Sequence, residues 1–359
     1  MLTHFLISRG SSICISPVTR LFTQLPMFKK IALLLASALI LPGCGGGSKG
    51  GDEVSFAFVS NGVDPFWTIA ESGVKAAAAD LGVHADVLMP AAGAVEQKSM
   101  LEDLMTRGTT GIAVSPVDSA NQTDFLNQVA EQTILITQDS DAPESNRLVY
   151  IGMDNYDAGR ECGKLVVEAL PNGGSVMILV GRMEQDNARR RRQGVIDEVL
   201  GRSHDPSRFD SPGSPIIGNG YTILGTLTDQ FDRAKAKANA EDTLARNPDI
   251  GAMVGLFAYN PPLILEALEQ AGKLRDVQVI GFDEAEGTLQ GIIDGNVHGT
   301  VVQNPYMYGY KSIEVLKAIH EGRDTGAGPD NFINITARQI KKNNVVEFWA
   351  DLNKKLGKE

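Results

Sequence analysis

The chain has 359 residues, with 33 basic and 44 acidic side chains and a net charge of −11. Residues 1–43 hold four of the basic side chains and no acid, so the 316 residues from Cys44 onward carry −15, which argues against nucleic acid because such partners need a basic footprint. Those residues suffice for about two domains, and with only Cys14, Cys44 and Cys162 present a disulfide framework or a cysteine-based metal site is excluded.

From Met27 the chain reads MFKKIALLLASALILPGC. Lys29 and Lys30 form a positive n-region, and the apolar run 31–41 has the length of a signal-peptide h-region. It is too short for a membrane span, which needs about 20 residues. The ending Leu41-Pro42-Gly43-Cys44 resembles a bacterial lipobox, in which the cysteine is lipidated and becomes the mature N-terminus. Met27 begins a complete leader, so residues 1–26 read as an upstream mis-start and 1–43 as signal peptide. The stretch 44–52, rich in glycine, reads as the flexible linker of a lipid-anchored protein.

Beyond it, short β-rich apolar runs alternate with helix-length amphipathic segments. Strands are predicted at 54–59, 85–89, 111–114, 133–137 and 148–151, with helices at 66–81, 94–107 (closed by Gly108 as a C-cap) and 119–131. The pattern then restarts. Helices at 156–170, 189–200, 231–246, 261–271, 284–294 and 306–321 are separated by strands at 175–180, 222–226, 251–255, 277–281 and 299–302. Alternation of this kind implies parallel sheets covered on both faces, and two consecutive sets imply two doubly wound α/β lobes. Residues 346–359 read as a short amphipathic C-terminal helix.

Open α/β sheets bind ligands beyond the carboxyl ends of their strands. At those ends stand Asp64, Phe66 and Trp67, then Gln138-Asp139, Asp154-Asn155 and Arg189 at a helix start. Phe231, Tyr259-Asn260, Asp283 and Gln303-Asn304 complete the series. Carboxylates, amides, arginine and flat rings together suit a sugar. Hydroxyls make charge-assisted bonds to ionised groups, and the C–H faces of the ring pack on aromatics. No histidine sits at these ends, and there is no nucleophile elbow, Walker loop or clustered histidine, so neither catalysis, a metal nor a cofactor is expected. Cys162 lies in a helical pattern and reads as a small core residue.

Taken in order, Asp64-Pro65-Phe66-Trp67, Arg107-Gly108 before 111–116, Gln138-Asp139, Asp154-Asn155, Ala188-Arg189, Phe282-Asp283 and Gln303-Asn304-Pro305 resemble the periplasmic sugar-binding proteins of the ribose- and galactose-binding type. These share the type I fold with LacI-type repressors, and the resemblance spans about 54–345. It implies two doubly wound lobes joined by a three-strand hinge, with 53–153 and 304–332 in the first and 154–303 and 333–345 in the second. Phe66 and Trp67 would face a sugar ring from one lobe and Phe231 from the other. Asp64, Asp139 and Asp283 would accept hydroxyl protons, Arg189 would reach the ring oxygen, and Asn260 and Gln303 would complete the clamp. Asp154, Asp283-Glu284 and Gln303-Asn304 would lie at hinge crossings. Ser140 stands where the ribose type has a second arginine, so a site poor in guanidinium, suited to an amino sugar or polyol, is expected.

The function implied is that of an extracytoplasmic, membrane-anchored solute-binding lipoprotein, a monomer that passes a monosaccharide to the permease of an ABC-type importer. A lipoprotein presenting sugar to a receptor kinase is the alternative. A LacI-type regulator would need an N-terminal helix-turn-helix where this chain has a leader and linker. A retaining sugar hydrolase would need a carboxylate pair about 5 Å apart.

Overall fold

The computed structural model describes residues 54–358 apart from Pro329. The segment read as a signal peptide, Cys44 and the stretch 44–52 read as a linker lie outside the described residues. The first lobe takes β1 (Ser55–Val59), α1 (Pro65–Leu81), β2 (His84–Leu88), α2 (Ala94–Thr106), β3 (Gly111–Val114), α3 (Ser119–Gln132), β4 (Ile134–Gln138) and β5 (Tyr150–Gly152). The second takes α4 (Asn155–Ala169), β6 (Gly174–Val180), α5 (Asp186–Val199), β7 (Ile216–Gly218), β8 (Tyr221–Thr228), α6 (Arg233–Arg246), β9 (Ala252–Gly255), α7 (Asn260–Gln270), β10 (Gln278–Phe282), α8 (Glu286–Asp294) and β11 (Gly299–Val302). The chain returns to the first lobe for α9 (Pro305–His320) and β12 (Phe332–Asn334), then ends in the second with β13 (Arg338–Ile340) and α10 (Val345–Lys355).

The first sheet runs β12-β5-β4-β3-β1-β2 and is parallel throughout. The second runs β13-β11-β10-β9-β6-β8-β7, with β13 and β7 antiparallel at its edges. Near-continuous apolar strands such as Gly111–Val114 and Ala252–Gly255 are buried along their length, as expected of strands covered on both faces. In each sheet the first strand of its set lies between two later ones, β1 between β2 and β3 and β6 between β8 and β9. That places a topological switch point, and hence a crevice, at the carboxyl end of both sheets.

Three segments pass between the lobes, at 153–154, 303–304 and 335–337. Two correct the sequence reading. Asp283-Glu284 leads from β10 to α8 inside the second lobe and is not a crossing. The third crossing follows Asn334 rather than residue 332, because β12 pairs with β5 through Phe332↔Tyr150, Ile333↔Ile151 and Asn334↔Gly152.

Helix crossings are close where glycines meet. A Cβ on Gly159 of α4 would fall 2.0 Å from Arg191 O of α5, and one on Gly194 of α5 would fall 2.0 Å from Tyr156 O. This contact seats α5 and therefore its inward side chains. The helix α10 packs on α8, with Val345, Phe348 and Leu352 buried. Cys162 is fully buried, and burial pushes its thiol up to about 12, consistent with a core residue. Among the described residues no helix is long and apolar enough to cross a membrane.

Candidate ligand-binding site

A cavity of about 510 Å³ lies between the carboxyl ends of the two sheets, within the 300–1,000 Å³ range of small-molecule sites. From the first lobe it is lined by Asn61, Asp64, Phe66, Trp67, Gly93 and Asp139. The second lobe supplies Arg182, Asn187, Arg191, Phe231, Phe257 and Asp283, with Gln303 at a crossing. Asp64 caps α1, its Oδ1 accepting from Phe66 N at 3.0 Å. The cap fixes the chain so that Phe66 and Trp67 sit edge to face at the cavity wall, ring centroids 4.9 Å apart.

Asp139 directly follows β4 and is almost fully buried, with φ +58°. Its Oδ2 accepts from Ser115 Oγ at 3.0 Å, from Asn61 Nδ2 at 3.3 Å and, across the cleft, from Asn187 Nδ2 at 3.3 Å. Asp283 ends β10 with φ +66°, and its Oδ1 accepts from Gln303 Nε2 at 2.7 Å. Gln303 is itself held by Tyr308, whose hydroxyl donates to Oε1 at 3.1 Å. A left-handed backbone at both aspartates is uncommon outside glycine, and such conformations gather at ligand sites. Burial pushes the Asp139 carboxyl up to about 6, against the pull of Arg191, and the Asp283 carboxyl up to about 7. Next to it, burial and the Asp283 charge raise Glu284 well above the carboxylate range.

The sequence choice of Arg189 is corrected. Arg189 is exposed and, with Arg190, faces Asp186 at 3.5 and 2.9 Å. Within the run 189–192, the arginine that lines the cavity is Arg191, which is 1% exposed. Its Nη1 donates to Leu256 O at 2.7 Å and its Nη2 to Asn155 Oδ1 at 3.0 Å, while the guanidinium lies 3.8 Å from the Phe282 ring centroid. Its Nε is buried and has no partner among the described residues. Arg191 stands four residues from Asn187, one helical turn along the same face. Arg192 points elsewhere, to Thr226 Oγ1 at 2.6 Å and Asp210 O at 2.7 Å.

Asn260 is corrected as well. It is buried but does not line the cavity. Its Nδ2 donates to Asp229 Oδ2 at 3.0 Å and its Oδ1 accepts from Phe257 N at 3.1 Å. Tyr259 Oη donates to the other Asp229 oxygen at 2.6 Å, and Phe231 N donates to the same oxygen at 2.9 Å. Asp229 is thus a buried post that fixes an aromatic platform. Phe231 stands edge-on to Phe257 at 5.5 Å and carries Arg182 over its face at 4.9 Å. Phe231 itself faces the cavity, as do Asp64, Phe66, Trp67, Asp139, Asp283 and Gln303.

Asn61, Arg182, Asn187, Arg191, Arg233 and Phe257 line the cavity without having been selected from sequence. The expected scarcity of guanidinium therefore fails, and with it the ground for an amino sugar, since three arginines line the cavity. Arg233 reaches across the mouth to Asp64 Oδ2 at 2.7 Å. With the Asn187–Asp139 bond, this contact draws the lobes together around the cavity.

Residues 55–324 match the periplasmic binding protein domain. The chain belongs to the periplasmic binding protein family. Its relatives include a ribose import binding protein of Salmonella typhimurium, 26% identical over 305 residues that cover 83% of this chain and 95% of the relative. The ribose import binding protein of Bacillus subtilis is 26% identical, covering 81% and 90%. Among solved structures, an ABC transporter solute-binding protein of Burkholderia graminis in complex with D-arabinose superposes with a TM-score of 0.73 at 25% identity, covering 81% of this chain and 96% of that one. A glucose-galactose binding protein of Geobacillus stearothermophilus gives a TM-score of 0.72 at 26% identity, covering 82% and 99%. This periplasmic binding protein has the type I fold, with both switch-point crevices facing one cleft.

Proposed function

We propose that the protein is the sugar-capturing component of an ABC-type importer, holding one monosaccharide in the cleft between its lobes. The observation that carries this reading is the cleft itself. Two buried carboxylates, Asp139 and Asp283, share the cleft with the buried Arg191, whose Nε has no partner among the described residues, between rings from both lobes. In this reading Asp64, Asp139 and Asp283 accept hydroxyl protons, and Arg191, Asn187 and Gln303 donate to ring and hydroxyl oxygens. Phe66 and Trp67 pack on one side of the ring and Phe231 on the other. The named relatives are import binding proteins, which favours a transporter permease over a receptor kinase as partner and a binding protein over an enzyme. The family places the protein outside the cytoplasm. Lipidation at Cys44 would tether it to the membrane as a monomer.

Isothermal titration of the purified protein with pentoses and hexoses tests the reading. One sugar binding at a stoichiometry of about one, with the Trp67 fluorescence responding in parallel, is the expected result. Absence of heat and of fluorescence change across the panel would remove it.

A further inference from the structure

Every charged side chain lining the cleft but one has a hydrogen-bond or ion-pair partner among the described residues. Asp64 is bound to Arg233, and Asp232 caps α6 by accepting from Ala234 N and Lys235 N. Asp139 and Asp283 both lie within the field of Arg191. Arg182 lines the same cavity yet makes no ion pair and no hydrogen bond among the described residues, and its Nε is buried. Stacking on Phe231 holds its plane in place. Across the cleft it meets Gly93, where a Cβ would stand 3.5 Å from Nη1 and 3.6 Å from Nη2.

Gly93 precedes α2, a helix of 13 residues without a side-chain cap. Its neighbour Glu96 is turned back to Ala92 N at 2.6 Å and forms no ion pair with Arg182. A guanidinium thus lies beside the positive end of a helix dipole, and both favour an anion in the cavity next to them. Arg182 and Gly93 line the same cavity as Asp139, Arg191 and Asp283.

We propose that Arg182 and the N-terminal end of α2 form an outer subsite that takes an anionic group carried by the sugar, so that the cleft prefers an acidic monosaccharide to a neutral one. The proposal rests on the sugar-binding reading and adds the class of sugar. The planar fork of Arg182 matches a carboxylate or a phosphate bidentately, and closure of the lobes brings it to Gly93.

The test is titration of the protein with a neutral hexose, the matching hexuronate and the matching hexose 6-phosphate, repeated for Arg182→Met and Arg182→Lys. Methionine keeps the stem over Phe231 and removes the charge. One acid is expected to bind at least about tenfold more tightly than the neutral sugar, as charge-assisted bonds imply. That preference, read as the ratio of acidic-sugar to neutral-sugar affinity within each variant, should vanish in Arg182→Met, return in part in Arg182→Lys and shrink with added salt. Which acid gains the preference identifies the anion as carboxylate or phosphate. Equal binding of neutral and acidic sugars, indifferent to Arg182→Met, would overturn the outer subsite and leave the sugar-binding reading standing. Failure of all three ligands would overturn both.

Discussion

At the scale of single residues, sugar binding turns on which arginine of the run 189–192 enters the cleft. Arg191 has a buried Nε without a partner among the described residues, whereas Arg189 lies on the surface beside Asp186. Arg191→Ala is expected to weaken sugar binding by about 2–3 kcal/mol, the loss of bonds to a charged donor, and Arg189→Ala to leave it unchanged within titration error. A run of four arginines is read from sequence as a solvated face, and nothing in it marks the third. The facing is set by helix phase, since Arg191 shares a face with Asn187, and phase follows from the α4–α5 crossing. The aspartates were legible because they end strands in a switch-point fold. Asn260 ends a strand loop too, but its amide is consumed by Asp229, a tertiary bond that no local pattern records. The pH response also belongs here. Burial holds Asp139 near 6 and Asp283 near 7, so the empty folded protein keeps protons that the unfolded chain sheds near pH 4. Ionising these two groups therefore costs the empty protein stability as pH rises from about 4 to about 7. Sugar hydroxyls donate to the ionised form and favour it. Binding should release protons and tighten over the same interval, measurable by titration in buffers of different ionisation enthalpy. Affinity that falls as pH rises through 6 and 7 would contradict this assignment of the two carboxyls.

At the scale of elements, alternating strands and helices carry most of the fold in their hydrophobic pattern, and the parallel strands other than the unpredicted β12 lie close to their predicted spans. The antiparallel edges β7 and β13 were not legible. Each has three residues, too few for a period to register, and β13 is fixed by pairing with β11 about forty residues upstream through Thr300↔Ile340. The close crossing of α4 and α5 yields a prediction at this scale. A methyl at Gly159 or Gly194 would meet backbone at 2.0 Å, so the helices must separate. Gly194→Ala is expected to lower stability by about 1–3 kcal/mol or more in denaturant unfolding. Because α5 carries both Asn187 and Arg191, sugar affinity should fall with it. Unchanged stability and affinity would mean that the crossing does not seat the site.

Across the whole molecule, closure of two lobes around one cavity links fold to function. The Asp64–Arg233 pair bridges the mouth at 2.7 Å, with Arg233 about half exposed. An exposed pair of this kind contributes about 0.2–1 kcal/mol. Arg233→Ala should accordingly speed sugar release a few-fold in stopped-flow experiments and alter the association rate less. The leader and Cys44 were read from sequence alone, and metabolic labelling with a radiolabelled fatty acid tests them. Label incorporated by the wild type and absent in Cys44→Ala is the expected result.

The most direct test of the central claim is a thermal-shift screen of the protein against pentoses, hexoses and their acids. A sugar at a hundred times its dissociation constant adds about 2.7 kcal/mol of stability. The account predicts a clear rise in melting temperature with one class of sugar, retained in Arg189→Ala and lost in both Arg191→Ala and Asp139→Ala. No rise with any sugar, or a rise that survives in the Arg191 and Asp139 variants, would contradict a sugar site between the lobes.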